Sequence, residues 1–306
     1  MRTPRLPEGC HVFERGWLSA NNILFTSGSQ SLMVDSGYYT HSAQTVTLVE
    51  SVLDGRPLDF LVNTHLHSDH CGGNAALQLR YPDLQTLIPP GQAAHVTDWD
   101  PVALTYQPTG QLCPQFSFSQ ILKPGTEMQF GQSNWQIHAA PGHDPNSVIF
   151  FEPAHKLLVS ADALWENGFG VVFPELEGES AFDEVGATLD LIERLDPTTI
   201  IPGHGSMFTY SISTLEIARR RLDAFVANPL KHAQHASKVL IKFKLLETQR
   251  QLFGDFLKWA LNTPYLLQIR QRFFSEVPMG SWIEQLCDEL CKAGVAARDD
   301  THIFNR

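Results

Sequence analysis

Asn63-Thr64-His65-Leu66-His67-Ser68-Asp69-His70 is the stretch around which the chain is organised. Imidazole and carboxylate groups at this spacing are typical ligands of zinc, iron and manganese. The apolar run 58–62 before it predicts a buried strand, and Gly72-Gly73 after it predict a tight turn into a helix. Four ligand-type side chains behind an apolar strand favour a metal site over a polar surface loop that happens to be rich in histidine.

Length and composition limit the class of protein. A chain of 306 residues, 43% of them hydrophobic, can hold one large soluble domain, or one large and one small. Its sequence contains no uninterrupted apolar run of about 18 residues, which predicts no membrane span. The first nine residues lack the apolar centre of a signal peptide. Five widely spaced cysteines predict no disulfide framework and no zinc finger, so we expect a reducing cytoplasm.

Charge bears on the choice of partner. The formal net charge of −11 disfavours nucleic acid, because phosphate backbones are bound by Lys and Arg. Residues 219–250 are nevertheless locally basic. Two interpretations stay open for this segment: a solvated helix face near a domain junction, which is favoured, or a nucleic-acid surface.

Hydrophobic periodicity divides the chain into a mixed part and a helical part. Short predicted strands alternate with helices at 41–53, 72–80 and 183–195, and the irregular segment 89–120 is typical of a lid or pocket wall. From about residue 211 the pattern is helical, and a small β-wing follows. The predicted C-terminal elements are helices 211–227, 236–261, 264–274 and 280–293 and the wing 294–304. Asn228-Pro229 is the predicted seam, which gives domains 1–228 and 229–306.

Three later positions repeat the arrangement of an apolar strand followed by a ligand-type residue. His143 follows Gly142 after a predicted strand, Asp162 ends an apolar strand, and His204 lies between two glycines after another strand. Each position alone is ordinary. Together with residues 65–70, they predict that distant loops meet at one edge of a sheet.

This motif series resembles that of the metallo-β-lactamase superfamily over residues 10 to about 210. The resemblance implies an α/β (α+β) fold, an αββα sandwich with two mixed sheets face to face, helices outside and metals at one edge. The C-terminal helices resemble the small helical or winged-helix-like additions of several branches, which include thioesterase-like and endoribonuclease-like enzymes. A small C-terminal helical, winged-helix-like domain is therefore expected.

The resemblance also assigns metal roles by position. It implies that His65, His67 and His143 hold one ion, that Asp69, His70 and His204 hold a second, and that Asp162 bridges both. The expected cofactors are two divalent metal ions, with zinc favoured and iron or manganese as alternatives.

The implied reaction is metal-dependent hydrolysis by a hydroxide that bridges the two ions, with Asp69 orienting that hydroxide as the catalytic residue.

One position departs from the family's motif series, and another lies directly after the first motif. Asp144 stands where many relatives carry Ser or Thr, and is interpreted as a partner of a ligand or as a turn former. Cys71 is interpreted as a packed free cysteine.

The substrate is less well defined. Trp165, Phe169 and Phe173 follow Asp162 in a glycine-rich segment and are candidates for an apolar acyl pocket, with plain packing beneath a loop as the alternative. The favoured function is hydrolysis of a small ester or thioester, glyoxalase II-like or thioesterase-like. RNA or phosphodiester cleavage and a metal-containing metabolite-binding regulator are the alternatives. We expect a small-molecule substrate and no membrane partner, and we consider a homodimer.

Overall fold

Two mixed six-stranded sheets form the core of the fold, which a computed structural model describes for residues 6–306. The first sheet has its strands in chain order: β1 Cys10–Phe13, β2 Asn22–Phe25, β3 Leu32–Val34, β4 Phe60–Val62, β5 Gln85–Ile88 and β6 Gln120–Ile121. The second has the order β12-β11-β10-β9-β8-β7: β7 Glu127–Phe130, β8 Ser133–Ala139, β9 Val148–Glu152, β10 Leu157–Ala161, β11 Thr199–Pro202 and β12 Phe208–Thr209.

Helices and turns connect these strands and continue to the C-terminus. A 3-10 helix at Tyr39–His41 precedes the first α-helix. The α-helices are α1 Ser42–Leu53, α2 Ser68–Cys71, α3 Asn74–Arg80, α4 Ala93–Asp98, α5 Tyr106–Thr109, α6 Phe173–Glu177, α7 Phe182–Leu195, α8 Ile212–Ala227, α9 Pro229–Thr248, α10 Phe253–Asn262, α11 Pro264–Phe273 and α12 Met279–Lys292. None of the described helices has both the length and the apolar content needed to cross a membrane.

Strand alternation explains why the two sheets pack face to face. In β2, Ile23 and Phe25 join one buried cluster with Trp135 and Phe150 of the second sheet. Leu24 points the other way and packs with residues of α1 and α3. Because successive side chains of a strand face opposite sides, one strand supplies both the inter-sheet core and the layer beneath the helices. The predicted αββα sandwich is confirmed.

Strand direction places several loop starts at a common edge. β4 runs parallel to β3 and β5, and β10 runs parallel to β11. The carboxyl ends of parallel neighbours lie at the same edge of a sheet. The loops after β10 and β11 both carry predicted ligands, so the topology itself brings these two loops together. The loop after β4, which carries residues 65–70, begins at the same edge of its sheet as the loop after β3.

Two compact units make up the chain. The first comprises residues 6–100 and 113–223, and the second comprises Pro101–Leu112 and Ala224–Arg306. The second unit contains α5, α9–α12 and a three-stranded sheet of order β13-β15-β14: β13 Arg250–Leu252, β14 Ala296–Arg298 and β15 His302–Asn305. The hairpin predicted at 294–304 is present, and the helical C-terminal region is confirmed. The division at residue 228 stays a prediction.

The predicted helix 236–261 is wrong. α9 begins earlier, at Pro229, where the side chain of Asn228 accepts a hydrogen bond from the Lys231 backbone at 3.2 Å. It ends before Gln249, whose φ of +59° breaks the helix. β13 follows and pairs with β15, about fifty residues later. Helical periodicity cannot reveal that interruption, because the pairing that stabilises it is distant in sequence.

Candidate metal centre

The seven predicted ligands lie on four loops of the first unit and converge. They form three overlapping groups in which all ligand atoms of a group lie within 4.8 Å of one another. The groups are His65, His67 and His143; His65, His70 and Asp162; and Asp69, His70 and His204. We call the first of these the three-histidine group and the last the mixed group.

The three-histidine group is a tight cluster of imidazole rings. His143 Nε2 lies 2.9 Å from His67 Nδ1, and His143 Nδ1 donates to the Val171 carbonyl at 2.5 Å. Burial, and then the neighbouring imidazoles, lower the pKa of His65 well below its usual value. Burial followed by His143 lowers the pKa of His67 to about 3. Both rings therefore keep the lone pairs that a cation requires.

The mixed group combines a carboxylate with two imidazoles. His204 Nε2 lies 3.1 Å from Asp69 Oδ2 and donates to it. Burial alone would raise the pKa of Asp69, but the hydrogen bond from His204 and the proximity of His70 outweigh burial and lower it. Asp69 is accordingly a charged carboxylate at neutral pH.

Asp162 lies between the two groups. Its Oδ1 is 3.5 Å from His70 Nε2, while its Oδ2 is 3.5 Å from His143 Nε2 and 3.8 Å from His204 Nε2. Trp165 Nε1 donates to Oδ1 at 3.2 Å. Although burial opposes ionisation, His204 and His70 lower the pKa of Asp162 well below its usual value. One carboxylate thus faces both groups.

Asp35 contacts the candidate ligands and is not among the residues predicted from the sequence. Its Oδ2 accepts from His70 Nδ1 at 2.8 Å, and its two oxygens accept from the backbone and hydroxyl of Thr64. Burial disfavours a charge on His70, yet Asp35 and then Asp162 raise its pKa well above the usual value. Asp35 directly follows β3, so it repeats the strand-then-carboxylate arrangement that could have identified it.

The donor set fits divalent cations. Among the described residues, the buried Nε2 atoms of His65 and His70 have no hydrogen-bond partner. A buried polar atom without a partner is costly unless a ligand satisfies it. Imidazole nitrogens with carboxylate oxygens suit zinc, iron and manganese alike. The side chains that are present therefore match the metals expected from the sequence.

Asp144 and Cys71 are both buried beside the ligands. Asp144 Oδ1 accepts from the Asn146 backbone at 2.8 Å, and its Oδ2 lies 3.8 Å from His67 Nε2. Burial raises the pKa of Asp144. Cys71 Sγ is directed to the His67 carbonyl at 3.3 Å and lies 3.9 Å from Cys113 Sγ. Cys71 is outside all three ligand groups, and all five cysteines are free thiols.

The predicted pocket aromatics have different surroundings. The ring centres of Phe173 and His67 are 5.3 Å apart, and Trp165 contacts Asp162 as described. Phe169 is only 1% exposed and lies under the guanidinium of Arg221 at 5.4 Å. Phe169 thus offers little surface to a substrate, while Trp165 and Phe173 are partly exposed beside the ligands.

Trp17 is a second residue that the sequence did not single out. It is 55% exposed, and its ring stacks on His204 with centres 5.5 Å apart and planes 9° apart. It also meets Trp165 edge to face at 5.4 Å. The only signal in the sequence is an aromatic residue in a short loop between two strands, and nothing in its spacing ties it to the ligands.

Comparisons with known proteins agree with this fold. The model of the metallo-beta-lactamase superfamily matches residues 15–204. A hydroxyacylglutathione hydrolase from Brucella anthropi is 25% identical over 188 residues, 61% of this chain and 60% of that protein. An acyl-coenzyme A thioesterase from Gallus gallus is 26% identical over 66% of this chain and 80% of that protein.

A solved structure extends the likeness to nearly the whole chain. The crystal structure of a metallo-beta-lactamase family protein from Thermus thermophilus aligns with a TM-score of 0.55 at 16% identity. The alignment covers 99% of this chain and all of that one. With the family model matching well over half of its length and the ligand loops converging as described, the chain belongs to the metallo-β-lactamase superfamily.

Proposed function

We propose that the chain is a hydrolase that uses two divalent metal ions to cleave a small ester or thioester. The observation that carries the proposal is the position of Asp162, whose carboxylate lies 3.5 Å from His143 of the three-histidine group and 3.5 and 3.8 Å from His70 and His204 of the mixed group. A carboxylate in that position is useful as a bridge between two cations. Each group also offers three protein ligands, which leaves positions open for substrate and water.

Two such ions would supply an acidified water as nucleophile and would polarise the scissile carbonyl. The protein's own residues prepare this chemistry. The lowered pKa values of His65 and His67 keep both rings neutral and available. Asp69 is anionic, and its Oδ2 is engaged by His204. Its Oδ1 can therefore accept a hydrogen bond from the attacking water and orient it.

The aromatic residues beside the ligands support an acyl substrate. Trp17, Trp165 and Phe173 place apolar surface next to His204 and His67. An apolar surface of this kind can bind an acyl chain, and a thiolate leaving group needs no strong general acid. The relatives named as a hydroxyacylglutathione hydrolase and an acyl-coenzyme A thioesterase also favour thioesters. Because the match covers 60% of the first relative, its substrate is a proposal for this chain.

The basic segment 219–250 gives the nuclease alternative little support. Arg219 pairs with Asp190 and Glu193 at 2.7 and 2.5 Å. In the second unit, Lys238 pairs with Glu289 at 3.0 Å, and Lys242 donates to three oxygens near the C-terminus. Cations engaged in this way are less available to phosphates. The contacts favour the helix-face interpretation of this segment.

A substrate panel on the purified, metal-quantified protein tests the proposal. We expect cleavage of acyl thioesters or lactones at rates that follow metal content, with phosphodiesters left intact. Cleavage of phosphodiesters alone, with steeply salt-dependent binding of single-stranded RNA, would establish the nuclease instead. Two bound ions with tight metabolite binding and no turnover would favour a regulator. The cytoplasmic location and the homodimer stay predictions.

A further inference from the structure

The loop between β1 and β2 is bound to the loop that carries His204. The side-chain amide of Asn21 donates to the Pro202 carbonyl at 3.0 Å and to the Gly205 carbonyl at 2.7 Å. The Asn21 backbone N–H donates to the Gly203 carbonyl at 2.7 Å. One buried residue therefore makes hydrogen bonds on both sides of a predicted metal ligand.

The same loop also reaches the motif that carries Asp69. The backbone N–H of Ala20 donates to the Asp69 carbonyl at 2.9 Å. Trp17 stacks on the His204 ring as described above. Two adjacent residues, Ala20 and Asn21, thus join the backbones of two ligand-bearing loops that lie 135 residues apart in sequence.

Arg15 fixes the orientation of Asn21. Its backbone N–H donates to Asn21 Oδ1 at 2.9 Å, so the NH₂ group of the amide must face the two carbonyls of the His204 loop. The Arg15 guanidinium is buried and donates to Asn22, Thr45 and Gln44 at 2.6, 2.8 and 2.9 Å. Because Arg15 anchors the start of the loop between β1 and β2, the Asn21 side chain has little freedom to turn away from the His204 loop.

The His204 loop needs such a clamp because glycines flank the histidine. A Cβ at Gly203 would lie 2.1 Å from Asp162 Oδ1 and 3.1 Å from His70 Cε1, so glycine is required for the close approach. Gly205 has a φ of +85°. Glycine lacks the restriction that a Cβ imposes, so the loop has wide conformational freedom unless hydrogen bonds remove it.

We infer that Asn21 is a positioning residue for the mixed group, because it holds His204 in register with Asp69. The inference rests on the proposed two-metal function. Asn21 makes no chemical contribution of its own. Its loss frees the His204 loop and weakens the second ion, while the three-histidine group keeps the first. Partners that orient metal ligands are typically worth about 10–100-fold in affinity.

The test compares Asn21→Ala and Asn21→Asp with the wild type by titrating metal-free protein with Zn²⁺ and with Co²⁺. Asn21→Asp keeps the size of the side chain and removes both donors. Gln78→Ala is the matched control, because the Gln78 amide also clamps a loop of the first unit, with bonds of 2.8, 2.6 and 3.1 Å to Thr86 and Ser117. Circular dichroism and the melting temperature report folding, and Asn21→Ser serves if the other variants fail to fold.

We expect the affinity for the second ion to fall about 10–100-fold in the Asn21 variants and that for the first to change less than about threefold. The Co²⁺ absorption of the second equivalent should change, and Gln78→Ala should leave both affinities intact. Equal weakening of both ions, or no change, would overturn the inference. A wild type that binds fewer than two ions would instead overturn the proposed function, so the two failures are distinguishable.

Discussion

The three-histidine group and the mixed group lie in the same centre but are held by different means. In the three-histidine group, His65 and His67 are two residues apart on one segment, and His143 comes from a distant loop where its Nδ1 donates to the Val171 carbonyl. In the mixed group, His204 comes from a loop 135 residues after Asp69 and depends on Asn21 for its register. Asp35 orients His70 from a third loop.

This difference has a consequence for metal affinity. Each group has one ligand from a distant loop, but the mixed group depends on Asn21 for the position of His204 and on Asp35 for the orientation of His70, whereas His143 of the three-histidine group is held by the Val171 carbonyl. We therefore expect the three-histidine group to bind its ion more tightly and to fill first. The predictions below test this expectation, in order of decreasing effect.

Removing the bridge should have the largest effect. Asp162→Ala should lower metal content toward about one ion per chain and reduce turnover by about 10³-fold or more, because several kcal/mol of transition-state stabilisation depend on the metals. Metal analysis and a thioester assay measure both effects. The control Asp196→Asn removes the charge of an exposed carboxylate paired with Lys156, tolerates the φ of +46° at this position and should be nearly neutral. Two ions and full activity in Asp162→Ala would contradict the bridging role.

His143→Ala and His204→Ala test the two groups against each other. His204→Ala should leave about one ion, bound as tightly as the first ion of the wild type, because the three-histidine group remains complete. His143→Ala should weaken that first ion strongly. Zn²⁺ titrations of both variants provide the measurement. Equal metal binding by the two variants would show that the groups do not differ.

Asp35→Asn should weaken binding of the second ion about 10–100-fold, because His70 Nδ1 loses its carboxylate acceptor. Asparagine tolerates the φ of +53° at this position, so the backbone need not change. The matched control is Asp59→Asn, a carboxylate that accepts two bonds from Ser31 at the other end of β3. A loss of the first ion as large as that of the second would contradict the assignment of Asp35 to the mixed group.

The smallest effect on activity is expected for the aromatic residues beside the ligands. Trp17→Ala should raise KM about 2- to 10-fold for substrates with long acyl chains, since an aromatic contact contributes about 0.5–1.5 kcal/mol. Metal content should stay unchanged. The control Leu79→Ala removes a side chain that is 85% exposed on α3 and should leave kinetics unaltered. If the KM of Trp17→Ala does not depend on acyl length, Trp17 is not part of the substrate site.

Much of the centre could be predicted because each ligand is marked locally. An apolar strand that ends in a ligand-type residue can be recognised at His65, Asp162 and His204 without knowing the fold. The local sequence is less informative at Asn21, Asp35 and Trp17, because the role of each residue depends on which distant loop it contacts. The false helix at 236–261 has the same cause: β13 exists only because it pairs with β15.

The sequence by itself predicted the sandwich and the seven candidate ligands, because the motif series that resembles that of the metallo-β-lactamase superfamily is carried by short segments, each of which can be recognised locally. The tertiary structure alone decided which residues contact those ligands: Asp35 on His70, Asn21 on the His204 loop, and Trp17 against the His204 ring. Those contacts join segments between about 35 and 190 residues apart, and their register follows from how the loops at the strand ends meet rather than from any local pattern.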